Sequence, residues 1–206
     1  YYHPQWFKIK ELLTKNVIGN LKKVEGSFTY FNKDPKNMRN IPELGGGALP
    51  DIGVYPIVTT RIATNLEPKS VTAKIEFDNK FKTDKYANAQ VYFGDFDLSF
   101  YVSTQLSLRQ KMVFHGEKGR IEVHAPFNAK SYAYASITIH SKDNSQIQEI
   151  KFGEINQYTR QVEEISQAIT KSDYSKVFSL EDSKRNQKVI DAIYRSDRLK
   201  KNVNVN

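Results

Sequence analysis

Apolar and polar positions along the chain follow two different periods. Near the start, apolar residues recur at the spacing of one helical face, which predicts an amphipathic helix over residues 4–16. The apolar positions of this helix are Trp6, Ile9, Leu12 and Leu13. The next segment, residues 21–32, alternates bulky side chains with small or polar ones and is typical of a strand.

Strand-like patterns dominate the middle of the chain. Seven β-rich runs follow one another there, separated by turns such as HGEKGR and SKDNSQ. The runs cover residues 70–77, 88–95, 96–104, 109–116, 120–126, 132–140 and 147–152. Short strands joined by tight turns predict a broad and mainly antiparallel sheet.

The helical period returns at the end of the chain, over residues 156–170 and 181–201. We therefore predict a single α+β domain over residues 1–206, with a large open, predominantly antiparallel sheet and helices on one face. Aromatic residues in the run VYFGDF favour packing of the other face against a second copy of the chain.

Between the first strand and the sheet lies GGGALPDIGVYPI, residues 45–57. It follows a long polar loop and opens a predicted helix over residues 48–64. Asp51 and Tyr55 are four residues apart, so a helix brings both to one face, where a tyrosine could exchange a proton and an aspartate could orient it. The alternative is structural, with Asp51 capping the helix and Tyr55 in the core.

Other candidate residues surround this segment. Arg39 and Asn40 offer donors suited to hydroxyls or a carboxylate, although loop residues of this kind also bond their own backbone. His3 is either a ligand contact or a cap for the first helix. The glycine run lacks the context of a phosphate-binding loop. With no cysteine and only scattered histidines, no metal site is predicted.

Charge and hydropathy argue against nucleic-acid and membrane partners. The formal net charge of the 206 residues is +8, but basic and acidic residues are interleaved, which is typical of a solvated surface rather than a nucleic-acid interface. No apolar run is long enough for a membrane span, and the first residues do not form a secretory signal. The expected location is cytoplasmic, without membrane association.

Three motifs then occur in a fixed order: YYHPQ, DPKNMRNIPELGGGALPDIGVYPI and LRQKMVFHGEKGRIEVHAPF. Together they resemble the C-terminal domain of the Gfo/Idh/MocA oxidoreductases, in particular the branch of the dihydrodiol and xylose dehydrogenases. The resemblance implies a two-domain enzyme in which a Rossmann domain binds NAD or NADP. That domain and the Glu-Lys-Pro motif that precedes the YYHPQ segment in the family are absent from these residues.

The resemblance also implies roles for individual residues. Asp51 matches the active-site aspartate of the family, and Tyr55 matches the proton donor of the dehydrogenase branch, assisted by the lysine of the Glu-Lys-Pro motif. Tyr1 stands where many members have arginine. The remaining implied contacts are the nicotinamide end of the cofactor at Gly46 and Gly47, and the substrate at Arg39, Asn40, Phe127 and His3.

The implied activity is hydride transfer between NAD(P) and a sugar, polyol or related hydroxyl compound. The implied assembly is a homodimer or homotetramer formed through the open sheet face. The alternative function is a non-enzymatic module that binds carbohydrate or scaffolds a dimer.

Overall fold

One sheet organises the computed structural model, which describes residues 1–129 and 132–206. Among these residues it has nine strands in the spatial order β8-β7-β6-β5-β1-β4-β3-β2-β9. The strands are β1 (Leu21–Phe31), β2 (Ser70–Phe77), β3 (Asp84–Tyr92), β4 (Asp97–Ser103), β5 (Gln105–Gly116), β6 (Gly119–Val123), β7 (Ser136–Ser141), β8 (Ile147–Lys151) and β9 (Val203–Asn204). Among the paired strands of the described residues, β1–β4 is the one parallel pair. The predicted sheet is confirmed.

Four α-helices accompany the sheet in the described residues: α1 (Pro4–Thr14), α2 (Val54–Thr64), α3 (Gln157–Lys171) and α4 (Leu180–Leu199). Local sequence explains their ends. His3 caps α1 by accepting a hydrogen bond from the Gln5 amide, and Ser179 forms a capping box with Asp182 at the start of α4. The helices predicted at both ends of the chain are therefore confirmed.

The two faces of the sheet differ in chemistry. On β1, Val24 and Phe28 are buried in the core with residues of α1, α2 and α4, whereas the alternate residue Glu25 is exposed. The opposite face is mainly polar and carries the stacked pair Tyr86 and Tyr101, whose ring centroids are 6.3 Å apart. The prediction of one helix-covered face is confirmed.

Several predicted boundaries were wrong. The third strand begins at Asp84 rather than 88, and the fifth begins at Gln105 rather than 109. The aromatic run was also misinterpreted, because Phe93 and Phe96 are buried and stack on each other at 4.7 Å between centroids. Their contribution is to the core of the domain rather than to an outer aromatic face.

Arg61 links α2 to α4. Its side chain is buried, donates two hydrogen bonds to Glu67 at 2.7 and 2.9 Å, and donates a third to the Asp182 carbonyl at 3.0 Å. Replacing Arg61 by methionine should lower the free energy of unfolding by about 1–3 kcal/mol, since the part-buried Asp182 carbonyl and the buried Asn186 amide oxygen lose their donor while the exposed Glu67 regains water. Urea denaturation measures the change.

Arg185 provides the matched control for this prediction. It pairs with the same two acidic residues, Glu67 and Asp182, but from the surface of α4. Arg185→Met should cost much less stability than Arg61→Met because an exposed ion pair is solvated and screened. Equal losses from the two variants would contradict the importance assigned to the buried guanidinium.

Candidate active site

The candidate site is built on an irregular helical start. Residues Leu49–Gly53 form a π-helical turn that runs directly into α2 at Val54, within the helix predicted over residues 48–64. Such wide turns occur frequently at functional sites. We refer to residues 49–55, which contain Asp51 and Tyr55, as the site segment.

Both carboxylate oxygens of Asp51 are held by neighbouring side chains. The Tyr30 hydroxyl donates a hydrogen bond to Oδ2 at 2.6 Å, and Nε of Arg39 lies 2.8 Å from Oδ1. Burial raises the pKa of Tyr30, and the hydrogen bond to Asp51 raises it further. The same carboxylate raises the pKa of Arg39. Asp51 is thus fixed in orientation from two sides.

Tyr55 has a supported ring and a free hydroxyl. Its ring centroid is 5.4 Å from those of both Phe28 and Phe127, while its hydroxyl forms no hydrogen bond with another described residue. Burial raises the pKa of Tyr55, as do Tyr158 and Asp51, and Arg39 opposes the shift. The phenol therefore carries its proton at neutral pH, as a proton donor requires.

Tyr55 and Asp51 line a pocket of about 410 Å³. Among the described residues, the charged groups in its lining are Arg39 and Asp51, which neutralise each other, and the other described lining residues are aromatic, apolar or amide. The amide side chains are Asn32, Gln110 and Asn128. Gln110 is oriented by the Asn128 backbone amide, which donates to its Oε1 at 3.0 Å. The lining suits an uncharged ligand with several hydroxyl groups.

The structure places the predicted site residues in different parts of the domain. Asp51, Tyr55 and Arg39 lie together in the pocket, and Phe127 supports it from behind by stacking on Phe28 at 5.0 Å. Asn40 is buried outside the lining, and its amide donates to the Asp34 carbonyl at 2.8 Å and to Oδ1 of the lining residue Asn32 at 3.3 Å.

His3 lines a different cavity, beside Phe152, and its Nδ1 atom caps α1. Burial lowers the pKa of His3 to about 4, so the ring is neutral at physiological pH. Its Nε2 atom has no hydrogen-bond partner among the described residues.

Steric contacts within the domain explain why glycine occupies positions 46 and 47. A Cβ atom at Gly46 would lie 2.6 Å from the Arg39 carbonyl oxygen, and one at Gly47 would lie 1.9 Å from Oδ1 of Asp84. Gly47 also has a φ of 137°, in the region that favours glycine. These contacts explain both glycines without a cofactor, whose proximity stays a prediction.

Sequence reasoning missed Tyr30, Gln110, Asn128 and Tyr158, all of which line the pocket. A signal existed for Tyr30, since strand alternation puts it on the same side of β1 as Phe28. The other three reach the pocket through tertiary contacts that no local pattern encodes. Across residues 1–129 and 132–206, no cluster of potential metal ligands occurs and no helix is long and apolar enough to cross a membrane.

Comparison with known proteins agrees with this architecture. A model of the GFO/IDH/MocA C-terminal domain matches residues 6–122. An uncharacterized oxidoreductase of Rhizobium meliloti, ORF334, is 34% identical over 198 residues, covering 94% of this chain and 59% of the relative. The chain belongs to the GFO/IDH/MocA family.

Other relatives of this GFO/IDH/MocA domain have named substrates. A dTDP-3,4-didehydro-2,6-dideoxy-alpha-D-glucose 3-reductase of Actinomadura kijaniata is 24% identical, covering 93% of this chain and 57% of the relative. D-xylose 1-dehydrogenase (NADP(+)) 2 of Haloferax volcanii is 25% identical, covering 95% and 59%. The chain thus spans less than two thirds of the length of these curated relatives.

Solved structures share the fold. The aldose-aldose oxidoreductase of Caulobacter crescentus, complexed with glycerol, superposes with a TM-score of 0.85 at 21% identity, covering 98% of this chain and 61% of that chain. A 3-ketoreductase from Actinomadura kijaniata, in complex with NADP and TDP-benzene, gives a TM-score of 0.85 at 22% identity, covering 95% and 59%. At these identities the likeness establishes the fold.

Proposed function

We propose that this GFO/IDH/MocA domain is the substrate-binding and catalytic part of an NAD(P)-dependent oxidoreductase acting on a hydroxyl or keto group of a sugar or polyol. The observation that carries the proposal is the unpartnered Tyr55 hydroxyl beside the doubly held Asp51 carboxylate, in a pocket of about 410 Å³. The names of the sugar-converting relatives support the same chemistry.

Each side chain has a distinct part in this proposal. Tyr55 exchanges a proton with the substrate oxygen, and Asp51 orients the substrate through the lone pairs that Tyr30 and Arg39 leave free. The Gln110 and Asn128 side chains hydrogen-bond the remaining hydroxyls. Bound NAD or NADP supplies or accepts the hydride.

Proton donation by Tyr55 requires a nearby cation. A tyrosine whose pKa burial has raised, as for Tyr55, acts as a proton donor most readily when a cation stabilises its phenolate. Arg39 only partly offsets the raised pKa in this domain. The lysine of a preceding Rossmann domain is proposed to supply the rest.

The direct test uses the full-length gene product. It is incubated with NAD or NADP and a panel of neutral aldoses and polyols, and absorbance of the reduced cofactor is followed. Turnover of at least one neutral sugar is expected. Binding of a sugar without turnover by either cofactor would instead favour the non-enzymatic carbohydrate-binding module.

We further propose that the polar sheet face mediates a homodimer. A hollow of about 300 Å³ on this face is bordered by Arg109 and Glu25. Both side chains are exposed, and neither forms an ion pair with another described residue. Opposite free charges on one face suit a two-fold contact, in which each residue meets its opposite in the partner.

Reversing one of these charges tests the interface. Arg109→Glu puts like charges opposite each other across the two-fold contact and should raise the dimer dissociation constant about 10-fold or more. Light scattering coupled to size exclusion measures the mass. Lys10→Glu makes the same charge change on the exposed side of α1 and should leave the dimer intact. An unchanged mass in Arg109→Glu at all concentrations would exclude this face.

A further inference from the structure

A buried carboxylate outside the pocket contacts the start of the site segment. Asp84, the first residue of β3, is 2% exposed. Its Oδ2 atom accepts a hydrogen bond from the Leu49 backbone amide at 2.6 Å, and its Oδ1 atom accepts one from the Tyr194 hydroxyl of α4 at 2.6 Å. One side chain therefore joins the site segment, the sheet and the last helix.

Burial of the Asp84 carboxylate costs free energy when the group is charged. Burial raises the pKa of Asp84 to about 6, against the opposing effects of the Tyr194 hydroxyl and the backbone amides of Leu49, Ala48 and Asp84 itself. The largest contributions that oppose this shift come from neutral hydrogen-bond donors. The two hydrogen bonds are thus the main compensation for a charge withdrawn from water.

Geometry connects Asp84 to the candidate catalytic groups. Leu49 precedes Asp51 by two residues and opens the π-helical turn. At Gly47, two residues before Leu49, a side chain has no room because its Cβ atom would collide with Oδ1 of Asp84. The carboxylate therefore fits closely against the backbone where the chain enters the site segment, and a shift of this contact moves Asp51 relative to Tyr30 and Arg39.

We propose that Asp84 is a positioning residue for Asp51 and Tyr55, and that Tyr194 holds Asp84 in place. The expected effect on turnover rests on the function proposed above. The expected effect on the site segment does not, so the two can fail separately.

Asp84→Asn in the full-length protein tests the role. An asparagine keeps an acceptor oxygen for the Leu49 amide but directs its NH₂ group at the Tyr194 hydroxyl, which would have to accept instead of donate, so two bonds to a charged carboxylate become weaker neutral ones. Backbone hydrogen exchange over residues 49–55 should become at least about 10-fold faster. At a pH well above 6, kcat should fall about 10- to 100-fold with the KM for NAD(P) unchanged, because misplaced catalytic groups slow the reaction step.

Two further variants complete the test. Tyr194→Phe keeps the bond between Asp84 and the Leu49 amide and removes only the bond to Oδ1. It should therefore speed hydrogen exchange over residues 49–55 and lower kcat, each by a smaller factor than Asp84→Asn. If Asp84→Asn does not fold, Tyr194→Phe serves as the test in its place. Asp191→Asn removes an exposed carboxylate from the same helix and should change neither.

Normal exchange over residues 49–55 in folded Asp84→Asn would overturn the proposal, as would a normal kcat in that variant. If the unsubstituted protein turns over no sugar, the proposed function fails, and the exchange measurement alone decides the role of Asp84.

Discussion

Replacing Tyr55 by phenylalanine in the full-length protein should lower kcat by about 10²- to 10⁴-fold, the usual contribution of a general acid or base. The change removes one hydroxyl, and that hydroxyl forms no hydrogen bond with another described residue. The ring contacts with Phe28 and Phe127 remain, so we expect a stability change below about 1 kcal/mol.

Steady-state kinetics and thermal unfolding of the same sample separate chemistry from folding. The matched control is Tyr174→Phe, which deletes a hydroxyl from an exposed tyrosine that does not line the pocket and should leave kcat unchanged. A Tyr55→Phe enzyme with normal kcat would remove Tyr55 from the reaction and return it to the role of a core residue.

The second large effect is expected from Asp51→Asn. An asparagine would keep its acceptor oxygen for the Arg39 guanidinium and direct its NH₂ group at the Tyr30 hydroxyl, which would have to accept instead of donate, and the ion pair that fixes the side chain against Arg39 would be lost. The resulting displacement should lower kcat/KM about 100-fold, or about 2.7 kcal/mol of transition-state stabilisation.

Two comparisons make this result specific. Tyr30→Phe removes one of the two supports and should lower kcat/KM by a smaller factor than Asp51→Asn. Asp95→Asn deletes the same charge in the exposed turn between β3 and β4 and should be neutral. If Asp51→Asn is as active as Asp95→Asn, substrate orientation does not depend on this carboxylate.

Side-chain spacing along the sequence predicted the helices and strands that follow a regular period. The apolar stripe of α1 and the alternation of β1 each follow from side-chain spacing, and the observed ends lie within two residues of those predicted. The π-helical turn at Leu49–Gly53 could not be predicted this way, because it depends on Asp84, which lies more than 30 residues further along the chain.

Part of the candidate site was also predictable from the sequence. Asp51 and Tyr55 were found from spacing and from the family motif, and Arg39 from its donor chemistry. Tyr30 escaped because its contact with Asp51 joins residues 21 positions apart in different elements. The role of Asn40 stays a prediction, since its amide donates both to the backbone of its own loop at Asp34 and to Asn32 of the pocket lining.

The position of β1 at the centre of the sheet has a consequence for biosynthesis. Lys23 of β1 pairs with Asp97 of β4, and the two are separated by 74 positions in the sequence. At a translation rate of about 5–20 residues per second, the first strand emerges on the order of 4–15 s before its parallel neighbour exists. During this time the β1 segment, which carries Tyr30, has no β4 segment with which to form backbone hydrogen bonds. Chaperones can therefore bind it on the nascent chain.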